Sequence, residues 1–382
     1  MNTINRYKNE LQKQIGLAHN NFFFYWKGRV ALTAIFKALD LKEGDEVILP
    51  AFTCVVVPNA IIYLKAKPVY VDIDLDTYNT SLEKIKEKVT SKTKVVMCQN
   101  TFGLSSEVDL ISNWCKANNI ISIEDCTHGY GGRFNGGPNG SYSDFAFFST
   151  QWNKPFSTGI GGFLLVNNTS YTSKIEAVNK DLIIPSSKDK VVLKVLLFAK
   201  NKILNASNYW TLLKLYRFLS KYNLVIGSSS DEEITSIKEP QNYFKGISST
   251  QINEGIKSVQ NINNYLTLRK KNAAIYTAFL KQNKLTFVAD KLLDNHSFLK
   301  YPLLVKNRDE FLELAEKHKI DLGEWFNSPL HPVQGDLSMW GLKIDDFPNA
   351  KYASERMVNL PTDTTEIKKV ITFLELYKNM IE

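Results

Sequence analysis

The stretch that decides the fold is 143–166, SDFAFFSTQWNKPFSTGIGGFLLV. An apolar run, 145–148, ends in Ser149, and a polar loop with a single lysine, Lys154, follows. A glycine cluster then leads into a second apolar run, 163–166. The pattern predicts two buried strands with a lysine held between them. Because an ammonium group is costly to desolvate, Lys154 is either a surface-loop lysine or a functional amine.

Composition limits the classes of protein to consider. The chain has 382 residues with a formal net charge of +8, and its length allows one large core and a smaller domain. No Lys/Arg block with interleaved aromatics suggests a nucleic-acid partner. The four cysteines lie far apart and have no metal-ligand spacing. We therefore expect no metal site, no disulfide framework and a cytoplasmic location, and the polar N-terminus is not typical of a signal peptide.

Strand-like runs alternate with helical stretches over 44–125. The runs are GDEVILP (44–50), KPVYVDID (67–74), KVVMCQ (94–99) and IISIED (120–125). Continuous apolar runs of this kind are typical of a mostly parallel sheet covered by helices on both faces. Ligands of such sheets bind at the carboxyl ends of the strands, where the sequence supplies Asn100, Phe102, Asp125 and His128.

Two features of these strand ends suggest a ligand. Asp125 follows a fully buried run, so it needs a partner, which is a helix N-terminus, a lysine or a protonated ring nitrogen of a cofactor. Gly28 directly precedes an amphipathic helix that ends near Leu41. The backbone N–H groups of Arg29 and Val30 at its start are suited to binding an anion.

The pattern changes near residue 181. We predict a large domain over 1–248, with a basic helical insertion at about 181–240, and a smaller C-terminal domain over 249–382. The stretch 190–222 contains seven Lys/Arg and no Asp or Glu. No uninterrupted apolar run in it reaches the roughly 18 residues of a membrane span.

Lys214, Arg217 and Lys221 share one face of a predicted helix in 190–222, and apolar residues cover most of the rest. Three interpretations follow. The helix packs its apolar side on the large domain, it associates weakly with an anionic membrane surface, or its cations attract a diphosphate. The width of the apolar face favours packing.

Several motifs taken together resemble the DegT-type sugar-nucleotide aminotransferases, a fold-type-I family that depends on pyridoxal 5′-phosphate (PLP). They are GDEVILPAFTCVVVPNAI, PVYVDID, IEDCTH, FFSTQWNK, SPLHPVQ and DFPNAKYASERMVNLP. The resemblance covers nearly the whole chain. It implies an α/β fold, with a large PLP-binding domain, a mostly parallel central sheet flanked by helices, a smaller C-terminal α+β domain, and a homodimer.

The resemblance also implies roles for particular residues. Lys154 would be the catalytic lysine that forms the Schiff base with PLP, Asp125 would pair with the pyridine nitrogen, and His128 would reach the 3-oxygen of the ring. The residues implied for the cofactor phosphate are Ser149, Gly28, Arg29 and Val30. Those implied near the ring or the sugar are Phe102, Phe52, Asn100 and His331.

The chain departs from the family pattern in two places. Many members have an aromatic residue, which stacks on the cofactor ring, where this chain has Cys54. The ring then either stacks elsewhere, on Phe52 or Phe102, or is less tightly sandwiched. The asparagine that usually reaches the phosphate from the partner subunit is not evident, and Tyr243 and Lys245 are its candidate replacements.

The function implied is transfer of an amino group, with glutamate as the expected donor, to a keto group on a sugar nucleotide, in surface polysaccharide or related glycan biosynthesis. Lysine at 154 argues against the dehydratase branch, which carries His at that position. The alternatives are a PLP transaminase for a small non-sugar ketone or cyclitol, and a non-catalytic PLP-fold binding or regulatory protein. The sequence leaves the sugar, the nucleotide, the ring position and the stereochemistry open.

Overall fold

A computed structural model of the chain describes residues 2–17, 21–105, 107–204, 208–221 and 231–382, without the side chains of 213, 217, 220 and 221. The strands are β1 Phe22–Tyr25, β2 Glu46–Pro50, β3 Thr53–Cys54, β4 Lys67–Val71, β5 Thr93–Gln99, β6 Ile121–Asp125, β7 Arg133–Phe134, β8 Gly137–Pro138, β9 Phe145–Ser149, β10 Gly162–Val166, β11 Tyr301–Leu304, β12 Leu330–His331 and β13 Met357–Leu360. The α-helices are α1 Thr3–Ile15, α2 Gly28–Ala38, α3 Val56–Ile62, α4 Leu82–Lys88, α5 Val108–Ala117, α6 Thr172–Val178, α7 Ser187–Phe198, α8 Tyr209–Lys221, α9 Asp231–Thr235, α10 Ser249–Gln260, α11 Ile262–Gln282, α12 Arg308–Lys317, α13 Pro348–Arg356 and α14 Ile367–Leu376.

A seven-stranded sheet in the order β1-β10-β9-β6-β5-β2-β4 forms the centre of the large domain. The strands from β9 to β4 are parallel, and β10 is antiparallel to both of its neighbours. Alternate residues of β2 pack into different cores, Val47 and Leu49 on one face and Ile48 on the other. Because both faces are covered, the strands are mostly apolar, and polar residues such as Gln99 and Asp125 lie at their carboxyl ends. The predicted α/β fold with a mostly parallel sheet is confirmed.

The carboxyl ends of β6 and β9 place the decisive side chains next to each other. Asp125 ends β6, Ser149 ends β9, and the two strands are adjacent and parallel. β10 then returns antiparallel, so that Gly162 lies opposite Ser149. The backbone of Gly28, the first residue of α2, rests against Gly162, which brings the N-terminus of this helix to the same edge of the sheet.

A second apolar core lies in the C-terminal part, among β11, β13, α11, α12 and α14. Its first residue along the chain is Ala273, within α11. The preceding helix, α10, packs on α1, so that Ile256 and Val259 share a core with Tyr7 and Leu11. The division at residue 249 stays a prediction, and this packing favours a boundary later in the chain.

The insertion begins with α7, whose first turn is closed by a capping box between Ser186 and Asp189. Leu193 and Leu197 of α7 are buried against the large domain. α8 reaches the C-terminal part, where the Nζ of Lys214 lies 3.1 Å from the Oε1 of Glu316. The hydroxyl of Tyr209 also donates a hydrogen bond to Asp321. The insertion therefore contacts both parts of the chain.

The apolar side of α8 is partly covered. Leu212, Tyr216 and Leu219 are half-buried and line a cavity, which favours the packing interpretation of this helix, whereas Leu215 and Phe218 are 50% and 57% exposed. Association with a membrane stays a prediction, and the side chains of Arg217 and Lys221 lie outside the described residues. Among the described helices, none combines the length and the apolar character needed to cross a membrane.

The contact between Gly28 and Gly162 gives a test of the fold. A Cβ on residue 162 would lie 2.3 Å from Gly28 Cα, so Gly162→Ala must displace the start of α2. We expect a loss of about 1–3 kcal/mol in the free energy of unfolding, measured by chemical denaturation. At Gly246 a Cβ meets side-chain and backbone atoms only at 3.8 Å or beyond, so Gly246→Ala is the matched control. Equal stability of the two variants would contradict this account of the packing.

Candidate active site

A cavity of about 620 Å³ opens at the carboxyl ends of β6 and β9. Its walls come from the large domain, the C-terminal part and the insertion. Most residues predicted for the site line it: Gly28, Arg29, Asp125, His128, Ser149, Lys154 and His331. Residues that are separated by as many as 303 positions along the sequence thus meet in one space.

The other predicted residues do not line the cavity. Val30 is buried, and its N–H donates to the carbonyl of Lys27 at 3.1 Å within the first turn of α2. Phe52 and Phe102 are fully buried and pack edge-to-face on each other. The Nδ2 of Asn100 donates to Glu124 at 3.2 Å. None of these residues lines the cavity, and a direct contact of any of them with a ligand stays a prediction.

Lys154 lies in the loop after β9, where its backbone N–H donates to the carbonyl of Gln151 at 3.1 Å. Burial lowers the pKa of its side chain to about 8, against the opposing effect of the charges of Cys54 and Asp125. The Nζ lies 4.5 Å from the centre of the Trp325 ring. Lys154 as a whole is half-buried, and an amine with this lowered pKa is available in its neutral, nucleophilic form near physiological pH.

Asp125 faces the same cavity and is buried. Desolvation raises the pKa of this carboxyl, while hydrogen bonds from Thr127 and the charge of Lys154 act to lower it. The backbone N–H of Thr127 donates to Oδ1 at 2.9 Å. The structure therefore offers a carboxylate whose hydrogen-bond donors, within the described residues, come from Thr127. Such a group is suited to a protonated ring nitrogen.

His128 is held in one orientation. Its Nδ1 accepts a hydrogen bond from the backbone N–H of Phe102 at 3.2 Å, and its ring stacks on Trp325 with 4.7 Å between ring centres. Burial lowers its pKa well below the ordinary value. The ring is therefore neutral with its proton on Nε2, and it can donate a hydrogen bond to an oxygen of a ligand in the cavity.

The N-terminus of α2 forms the anion-binding end of the cavity. Its N-cap residue, Lys27, makes no side-chain capping hydrogen bond. Gly28 packs so closely on Ser149 that an added Cβ would lie 3.0 Å from the serine Cβ. Arg29 also lines the cavity here. The helix dipole, the serine hydroxyl and the two cationic side chains are all suited to a phosphate group.

The sequence argument missed two residues of the site. Trp325 covers the Nζ of Lys154 and stacks on His128, whereas stacking of the cofactor ring on Phe52 or Phe102 stays a prediction. It lies in the stretch LGEWFNSPLHP, next to the PLH motif, which is the signal that could have indicated it. Glu233 pairs with Arg29, and nothing in the local sequence marks it.

Enzymes hold a carbonyl cofactor with an amine that burial keeps neutral, and they bind its charged groups with an opposing carboxylate and an anion site. The α/β cavity therefore belongs to an enzyme with a carbonyl cofactor. The sequence profile of the DegT/DnrJ/EryC1/StrS aminotransferase family matches residues 3–201 and 247–374. The chain belongs to this family, and it is a PLP-dependent aminotransferase.

Individual relatives agree with this assignment. The GDP-perosamine synthase of Escherichia coli O157:H7 is 28% identical over 331 residues, covering 84% of this chain and 79% of the relative. The enzyme of the same name from Vibrio cholerae is 27% identical over 385 residues, covering 99% of this chain and 91% of the relative. A putative sugar aminotransferase from Streptococcus pneumoniae, solved in its PMP form, shares the fold with a TM-score of 0.75 at 19% identity, covering 99% of this chain and 92% of that one.

The residues in the cavity fit PLP. Lys154 would hold its aldehyde carbon, Asp125 its ring nitrogen and His128 its ring oxygen, while Ser149 and the start of α2 would bind its phosphate. When bound, PLP supplies an electron sink for cleavage of a bond next to the amine nitrogen. The Nζ of Lys154, with its lowered pKa, can take the proton from the carbon atom that carries the amino group and return it.

Asp125→Asn tests the role of the carboxylate. The change is nearly isosteric, but it removes the charge that would keep the ring nitrogen protonated. We expect PLP to stay bound and amino transfer from an amino donor to the cofactor to slow by about 100-fold or more, measured by single-turnover absorbance of the cofactor. An unchanged rate would show that Asp125 serves only the structure of the loop.

Proposed function

We propose that this enzyme transfers an amino group from glutamate to the keto group of a sugar nucleotide, and that it acts as a cytoplasmic homodimer in surface polysaccharide or related glycan biosynthesis. The observation that carries the proposal is the meeting of Lys154 and Asp125 in one cavity of a family member. The four free cysteines are consistent with a reducing compartment.

The acceptor is proposed from the relatives and from the cavity. Both GDP-perosamine synthases are named for an amino sugar linked to a nucleotide. The cavity also has the size typical of a ligand pocket. Lys200 of the insertion lines it as well and adds a cation beyond those at α2, which suits the diphosphate of a sugar nucleotide.

One observation favours the second candidate, a small non-sugar ketone. The wall that the insertion contributes is rich in leucine: Leu196, Leu204, Leu212, Leu215 and Leu219. An apolar wall suits a compact, weakly polar acceptor better than a charged nucleotide. The comparison of acceptors described below separates these two candidates.

The homodimer is supported by one face of α7. Val191, Val195 and Phe198 recur at helical spacing and are 58%, 60% and 61% exposed, while Leu193 and Leu197 on the other side are buried. Ile184, just before the helix, is 80% exposed. We infer that a second copy of the chain covers this apolar face. Analytical ultracentrifugation should show a dimer that Val195→Asp weakens, and a fully active wild-type monomer would contradict the inference.

The proposed reaction is tested with a panel of keto sugar nucleotides and small cyclic ketones, each with nitrogen-15 glutamate. We expect mass spectrometry to find the heavy nitrogen in at least one sugar nucleotide product, and none with Lys154→Ala, which lacks the amine. Labelled product from a small ketone alone would favour the second candidate. If glutamate transfers its amino group to PLP but no acceptor of the panel is aminated, both candidate functions are contradicted.

A further inference from the structure

A buried ion pair joins the insertion to the anion-binding end of the cavity. Glu233, the third residue of α9, is 3% exposed. Its Oε1 accepts a hydrogen bond from the Nη1 of Arg29 at 2.6 Å, and its Oε2 lies 3.7 Å from the Nζ of Lys27. Each carboxylate oxygen thus faces a different cation, and this arrangement offsets the cost of burying the charge.

The backbone of α9 is held separately. Asn59 of α3, which is 1% exposed, donates from Nδ2 to the carbonyl oxygen of Glu233 at 2.7 Å. The Oδ1 of Asn59 accepts a hydrogen bond from the Nε1 of Trp340 at 2.7 Å, which fixes the amide. Ile234 adds an apolar contact with the large core. Removal of the Glu233 side chain alone therefore leaves α9 seated.

Arg29 is the partner whose position matters for the ligand. It is the second residue of α2, and it lines the cavity beside Gly28 and Ser149. A guanidinium group carries five N–H donors in one plane. The contact between Nη1 and Glu233 therefore fixes the orientation of the guanidinium plane, and with it the direction of its other N–H groups.

The ion pair between Glu233 and Arg29 also affects the charge at the anion-binding end of the cavity. Burial and the charge of Arg29 lower the pKa of Lys27 to about 8, and Glu233 acts to raise it. The carboxylate of Glu233 faces both Lys27 and Arg29 and limits the repulsion between these two cations.

We propose that Glu233 is a positioning residue of the cofactor site, which holds the guanidinium of Arg29 in place to bind the phosphate of PLP. Glu233 lies between the two parts of the chain that match the family profile, 3–201 and 247–374. The carboxylate is thus supplied by this chain's own insertion. The proposal rests on PLP as the cofactor and is independent of the acceptor substrate.

The test compares PLP with pyridoxal, which lacks the phosphate, on the apo form of the full chain. Apparent dissociation constants come from quenching of tryptophan fluorescence. We expect Glu233→Ala to raise the dissociation constant of PLP by about 10- to 100-fold and that of pyridoxal by less than about twofold. Glu232→Ala, at the exposed neighbouring residue, is the matched control and should change neither. Equal losses for both ligands would overturn the proposal, because they would indicate a general structural effect.

A double-mutant cycle tests whether Glu233 acts through Arg29. In an Arg29→Met background, Glu233→Ala should have no further effect on the affinity for PLP, since the group that it orients is gone. A full additional loss in that background would overturn the proposal. PLP and pyridoxal share the aldehyde and the ring. A loss of affinity that is specific to PLP therefore excludes an effect on either of those groups.

If Glu233→Ala does not fold, hydrogen–deuterium exchange on the wild-type protein tests the proposal without a variant. Coupling between two sites is reciprocal, so PLP should protect the amides of 231–235 more strongly than pyridoxal does. Equal protection by the two ligands would overturn the proposal. A wild-type protein that binds PLP but aminates no keto sugar nucleotide would contradict only the proposed function.

Discussion

Desolvation of Lys154 is the constraint on which the rest of this active site depends. Lys154 is half-buried in the loop between β9 and β10, and desolvation of its side-chain amine lowers the pKa to about 8. A carboxylate in direct contact with this amine would raise its pKa again. The amine would then stay protonated and would lose its nucleophilic form. Asp125 acts on this amine only through its charge, and the ring of Trp325 covers the Nζ at 4.5 Å. The amine is thus kept reactive by burial and in position by packing.

Backbone packing determines where the anion site lies. Gly28 and Gly162 allow α2 to begin directly against the end of β10, at the edge of the sheet that also carries Ser149. The insertion completes this end of the cavity, because Glu233 holds Arg29 while the leucines of α8 form a wall. The family's chemistry and the chain's own specificity have different sources in our proposal. The first comes from the strand ends, and we infer that the second comes from the insertion.

The parts of the site that could be predicted from the sequence are those defined by local pattern. Lys154 and Asp125 were indicated because each follows a buried strand, and the parallel sheet then brings their strands together. Trp325 and Glu233 could not be placed in this way, because their roles depend on contacts across 171 and 204 positions with Lys154 and Arg29. Asn100 was expected near a ligand because it follows a strand. Its Nδ2 donates to Glu124 and it does not line the cavity, and its contact with a ligand stays a prediction. A strand end predicts the neighbourhood of a site and not the direction of each side chain.

The most direct test of this account is the pH dependence of covalent capture of PLP by the apo enzyme, trapped with borohydride and located by peptide mapping. The account predicts label on Lys154, with a midpoint near pH 8, where the buried amine loses its proton. Label on another lysine, or a midpoint near the 10.5 of an ordinary lysine, would contradict the claim that burial of Lys154 makes this chain an aminotransferase.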